Sequence, residues 1–460
     1  MTRFARIACA GLALAALACL VPDAARAARR GAGPDTLSDS TWVDRWTLKN
    51  GLQVSVRHIP KGEAVAVVAA YRVGRDQDPK DREGMADLLC EVLFTAATSL
   101  EPERMRGQMD DLRPLGWNLQ VAPSFSLVSE VTAPDKFPGV LRLIAARMRG
   151  VTVDDSTFQR ARATALSEQG ERNLGSPELM LFNRLRSSAQ GVTDPQLTRL
   201  LAGAGLKAIT LREARERLAR LYVPANAALS LTGNLEGVDV HALVDHLFGD
   251  IPAGTAMVET KSDTLRGGGR VYRRGGLPRP MAGVAILAPA LRDTLHPSFF
   301  LNALLIGQFC EQEWGRPMAP STFRFRYPIL ADPQLVQFFP PVPPGGADPD
   351  QIGITFQDTI EKLASTVVPQ ESFDELRLEH QWMLGGPLTY DFLQRVRIHP
   401  GTLYTLASTM AVRSLWGSDE FWQKYLARFM DLHLAGGEVW TDYFQRPDRM
   451  MRVVLLPTGH

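Results

Sequence analysis

The chain has little cysteine. Four stand in 460 residues, and two of them, Cys9 and Cys19, lie among the first twenty. Cys90 and Cys310 alone make no disulfide framework, so the small cross-linked scaffolds of secreted proteins are excluded, and two separate buried thiols are the simpler reading. A surplus of either charge is also missing, with 51 Lys+Arg against 50 Asp+Glu. No basic run or stripe is present, which excludes nucleic acid as a partner. Beyond residue 21 no apolar run approaches the roughly 20 residues that a spanning helix needs, so no stable membrane span is expected. Histidine is sparse. The eight, at 58, 241, 246, 296, 380, 399, 433 and 460, form no H-x-x-E-H or H-E-x-x-H pattern, and His241 and His246 are five apart, off a single helical face. With 45% hydrophobic and 22% charged residues the composition is globular.

What is present begins with an export signal. Arg3 and Arg6 precede an apolar run from Ile7 to Val21, Pro22 breaks it, and Ala25-Arg26-Ala27 fits a small-x-small cleavage site. Residues 1–27 are therefore expected to be removed, leaving 48 basic and 49 acidic side chains in a periplasmic or secreted protein. Residues 28–40 read as a flexible leader. A chain of this length exceeds one core, which stops growing at roughly 250–300 residues.

The pattern then alternates between strand and helix. Trp46 to Arg57 reads as strand, Asn50-Gly51 turn, strand. Ala64–Val73 is a β-branched run, Gly74–Glu83 a charged loop, and Gly84–Thr95 a helix with Met85, Leu88, Leu89, Val92 and Leu93 at helical spacing. Helices are expected over 101–112, 136–148, 155–174, 211–221 and 238–247, a hairpin over 117–131, and a strand over 227–231. Residues 253–270, with Gly267-Gly268-Gly269, form the clearest linker. After it the order strand (281–287), charged loop, helix (297–309) repeats that of 64–95, a weak internal duplication.

The helix Gly84-Met-Ala-Asp-Leu-Leu-Cys-Glu-Val-Leu-Phe94, the hairpin Leu48-Lys-Asn-Gly-Leu52 and the run Tyr222-Val-Pro-Ala-Asn226 with Leu229 and Gly233-Asn234 carry a resemblance. Together they resemble the pitrilysin/insulinase family of zinc peptidases, which includes mitochondrial processing peptidase. The resemblance covers 42–255 well and 265–460 loosely. It implies an α+β fold of two similar α/β units, each a mainly antiparallel sheet packed with helices. It also implies a peptidase-like N-terminal domain over 41–252 with an altered zinc helix, and a degenerate C-terminal one over 271–460.

In active family members two His four apart and a distal Glu hold zinc, and the Glu between the His acts as base. Here the three helix positions fall on Asp87, Cys90 and Glu91, and the distal ligand position on Glu168. No metal and no catalysis are expected, since Cys90 is no carboxylate base and both imidazoles are gone. A carboxylate set of Asp87, Glu91 and Glu168 holding Mn²⁺, Mg²⁺ or Ca²⁺ is the alternative. The family also implies a role without zinc. A chain lacking the metal helix pairs with a zinc-bearing subunit and grips extended peptides through an Arg and a Tyr. Arg316, Phe323, Arg326 and Tyr327 are the candidates for that grip. The chain is thus expected to be a non-catalytic partner of an active periplasmic peptidase. A stand-alone peptide-binding envelope protein and an enzyme with a non-standard carboxylate site are the other readings.

Overall fold

The structure is a computed structural model that describes residues 43–100, 115–172, 176–257, 266–315 apart from 276 and 278, 324–327, 335–342, 347–433 and 437–458. The export signal, the leader, the helix expected over 101–112, and Arg316 and Phe323 lie outside the described residues.

Thirteen strands are described: β1 (Val43–Thr47), β2 (Gln53–His58), β3 (Val65–Tyr71), β4 (Ala97–Thr98), β5 (Trp117–Val121), β6 (Ser126–Thr132), β7 (Val151–Thr152), β8 (Ala227–Gly233), β9 (Gly268–Arg274), β10 (Met281–Leu287), β11 (Phe325–Arg326), β12 (Leu335–Phe338) and β13 (Met450–Pro457). The helices are α1 (Met85–Thr95), α2 (Phe137–Arg149), α3 (Asp155–Gly170), α4 (Pro177–Ala189), α5 (Asp194–Leu201), α6 (Ala204–Ala208), α7 (Leu211–Leu221), α8 (Val240–Phe248), α9 (His296–Trp314), α10 (Pro349–Ala364), α11 (Gln370–His380), α12 (Tyr390–Ile398), α13 (Pro400–Trp416), α14 (Asp419–Met430) and α15 (Gly437–Gln445). The strand β9 begins inside the segment expected to be linker, and α3 spans Asp155–Gly170 and passes into π-helical residues 171 and 172, after which the end of the helix expected to 174 lies outside the described residues.

The sheet order confirms the duplication. The first sheet runs β1-β2-β8-β3-β6-β5, the second β11-β12-β10-β13-β9, and β4 pairs with β7 as a small ribbon. Read from its other edge, the second sheet repeats β2-β8-β3-β6-β5 strand for strand. The lone parallel contact of each, β2 with β8 and β9 with β13, falls in the same place, and every other pair is antiparallel. The expected α+β class with mainly antiparallel sheets is what the chain adopts.

Strand periodicity of two decides what covers each face. In β3, Val65, Val67, Ala69 and Tyr71 join a core with α1, α2, α7 and α8, while Ala66, Val68 and Ala70 face the opposite way into a core built by helices of the second unit. Leu403, Leu406, Ala407 and Met410 of α13 are in that second core. The arrangement is reciprocal. Helix α4 of the first unit supplies Met180, Leu181, Leu185 and Ala189 against Ala285, Met451, Val453 and Leu455 of the second sheet. The approach of α4 to β10 is tight at Gly283, where a Cβ would stand 2.5 Å from Leu185 Cδ1. Each unit therefore completes its core with a helix from the other. With full burial of a Leu or Val worth about 1.5–3 kcal/mol, this exchange joins the two units into one packed body.

Candidate functional site

The helix α1 is buried along its whole length, Met85 to Phe94. Its apolar spacing explains burial on one side only, and the charged Asp87 and Glu91 are buried as well. Its start is fixed by two neighbours. Gly84 turns with φ 95°, where a Cβ would lie 2.6 Å from Leu206 Cγ. Asp78, in the preceding loop, accepts from Gly84 N at 2.7 Å and Ala86 N at 2.8 Å, satisfying two of the helix's orphan donors. Burial and the neighbouring Asp87 push the Asp78 carboxyl up to about 8, against those two hydrogen bonds.

Asp87 is clamped. Arg75 donates Nε to Oδ2 at 3.0 Å and Nη2 to Oδ1 at 2.8 Å, and Arg172 donates Nη1 to Oδ1 at 2.9 Å. The carboxylate is 5% exposed and the two guanidinium side chains are 31% and 22% exposed. Burial raises the Asp87 carboxyl above its ordinary range and Arg75 pulls it back down. One turn on, the Cys90 thiol points into the core, 3.8 Å from Leu127 O. Burial first, then the charges of Glu91, Asp87 and Glu168, push it well up, so it stays a neutral thiol. Glu91 is buried one turn from Asp87, and Glu168 is half-buried on α3, the helix packed along α1. Of the four motif positions, Asp87, Glu91 and Glu168 all lie near enough to Cys90 for their charges to act on its thiol. Beyond them, Phe94 stacks near Trp117 of β5 with centroids 4.6 Å apart. Arg147, 2% exposed, lies 4.4 Å over the same ring and bonds Glu130, itself fully buried, at 2.7 Å.

Zinc does not fit this donor set. Both oxygens of Asp87 already accept from guanidinium groups, a cation would sit against two fixed positive charges, and Cys90 is held protonated. The same clamp defeats the carboxylate alternative at its first ligand. Among the described residues no group of three or more His, Cys, Asp and Glu is placed to hold a metal ion.

The residues that carried the resemblance outside α1 are structural. Asn50 Nδ2 donates to Phe248 O at 2.7 Å and Ile251 O at 3.0 Å, tying the hairpin to the end of α8. Asn226 Nδ2 donates to Leu221 O at 2.8 Å, and its Oδ1 accepts from Met257 N at 3.3 Å. Arg326 and Tyr327, two of the candidates for gripping a peptide, lie in the core. The Arg326 guanidinium stacks 3.5 Å from the ring centroid of Phe182 on α4, and the Tyr327 hydroxyl meets His296 Nε2 at 2.9 Å. Both are closed off by packing, Tyr327 at 1% exposure. Cys90 and Cys310 are buried and unbonded to each other. Sequence reasoning missed Arg75, Arg172 and Asp78. The one available signal was Arg172 standing four residues after Glu168, while nothing in one sequence joins Arg75 or Asp78 to Asp87.

Residues 208–379 match the family model of the peptidase M16 inactive domain. The fold is shared with solved structures. A protease from Helicobacter pylori is 16% identical, with 91% of this chain and 100% of that one covered and a TM-score of 0.70. A peptidase M16 inactive domain from Pseudomonas fluorescens is 14% identical, with 91% and 98% covered and a TM-score of 0.64. The periplasmic protease PqqL from Escherichia coli is 12% identical, with a TM-score of 0.64; 90% of this chain is covered but only 47% of PqqL, so this chain spans about half of that protein's length. No curated protein matches the sequence. Among the described residues no helix is long and apolar enough to cross a membrane.

Proposed function

We propose that this chain, which shares its fold with M16 peptidases and matches the model of their inactive domain over residues 208–379, is a non-catalytic partner subunit. It pairs with a zinc-bearing chain of the same family in the periplasm and helps bind peptides. The observation that carries the reading is the double arginine clamp on Asp87, which occupies the position of a metal ligand with an ion-pair network.

Two further observations support it. The two units interlock through α4 and α13 into one body, which favours a second chain as the other wall of a chamber. PqqL holds about twice the length of this chain in one polypeptide, which is the arrangement that two paired chains would reproduce. Peptide recognition then needs no metal. The edge strand β5 lies beside α1, and an extended peptide adding to it would gain main-chain hydrogen bonds that tolerate many sequences.

The test is co-expression of the mature chain with an M16-type chain that carries an intact H-x-x-E-H helix. A complex on size exclusion whose peptidase activity exceeds that of the zinc chain alone supports the proposal. A monomer that leaves the zinc chain's activity unchanged, for every such chain encoded nearby, refutes it. Binding of extended peptides by the isolated chain, with no pairing, would favour the stand-alone envelope reading.

A further inference from the structure

No further inference is drawn: the strongest candidate, the side-chain cluster of Arg45, Arg57 and Arg413 where α13 crosses the first sheet, with Asp419 beside it, is an anion site only if its charge is otherwise unmatched, and nothing in the structure shows that, because the residues leading into β1, Asp35 and Asp39 among them, lie outside the described residues.

Discussion

Arg75 holds Asp87 with two parallel hydrogen bonds, Nε to Oδ2 at 3.0 Å and Nη2 to Oδ1 at 2.8 Å. The fork of the guanidinium matches the carboxylate, so the pair is fixed in direction as well as distance. Arg172 adds a third bond at 2.9 Å. The helix position that the family resemblance assigns to a metal ligand is the centre of an ion-pair network. Replacing Asp87 by Ala leaves two guanidinium groups facing each other across a buried gap. The expected loss is about 2 kcal/mol of unfolding free energy, read from urea denaturation, and a change within 0.5 kcal/mol would show that the clamp is not structural.

Restoring the metal motif by sequence alone is expected to fail. The Asp87→His/Cys90→Glu/Glu91→His chain recreates H-x-x-E-H opposite Glu168, but Arg75 and Arg172 still face the site. Zinc retained after dialysis should stay well below one per chain. Adding Arg75→Ala and Arg172→Ala should raise it. Stoichiometric zinc in the triple variant would show that the arginines do not block the site.

The Asp78 carboxyl predicts a pH dependence. Its folded value, about 8, lies above the ordinary carboxylate value of 3.8 in the unfolded chain. A raised value means that the folded state holds the proton more tightly. The stability this brings is fully present below about pH 4 and is lost as pH rises toward 8, by at most about 1.4 kcal/mol per pH unit. The melting temperature of the wild type should therefore fall between pH 5 and 8 more steeply than that of Asp78→Asn. Parallel curves for the two proteins would contradict this.

The contact of α4 with the second sheet can be tested at Gly283, where any Cβ meets Leu185. Gly283→Val is expected to destabilise by about 1–3 kcal/mol through overpacking. Leu185→Ala destabilises too, by opening a cavity. The double variant should recover part of the sum, because each change relieves the other. Strict additivity would mean that the two residues do not share this space.

The thiols should be inert. Cys90 and Cys310 are buried, and burial pushes Cys90 well up and Cys310 above its ordinary range as well. Neither should react with Ellman's reagent at pH 8 in the native mature protein, and both should react in denaturant. Rapid labelling of Cys90 in the native state would place the α1 helix in contact with solvent.

The local alphabet of this protein was legible in its sequence. The spacing of Met85, Leu88, Leu89, Val92 and Leu93 dictates a helix, the continuous apolar, β-branched run of β3 dictates a strand with no polar face, and the absence of histidine from α1 removes imidazole ligation there whatever the fold. These are properties of neighbours along the chain, within reach of one or two turns. What the tertiary structure decided involves residues far apart. Asp87 meets Arg172 across 85 positions, Arg326 stacks on Phe182 from the other unit, and α13 covers the sheet of a strand more than three hundred residues before it. Side chains such as Arg326 and Tyr327 look like surface ligands in the sequence because their polarity is visible and their burial is not. Burial depends on which helix crosses which sheet, and that is set by long-range packing.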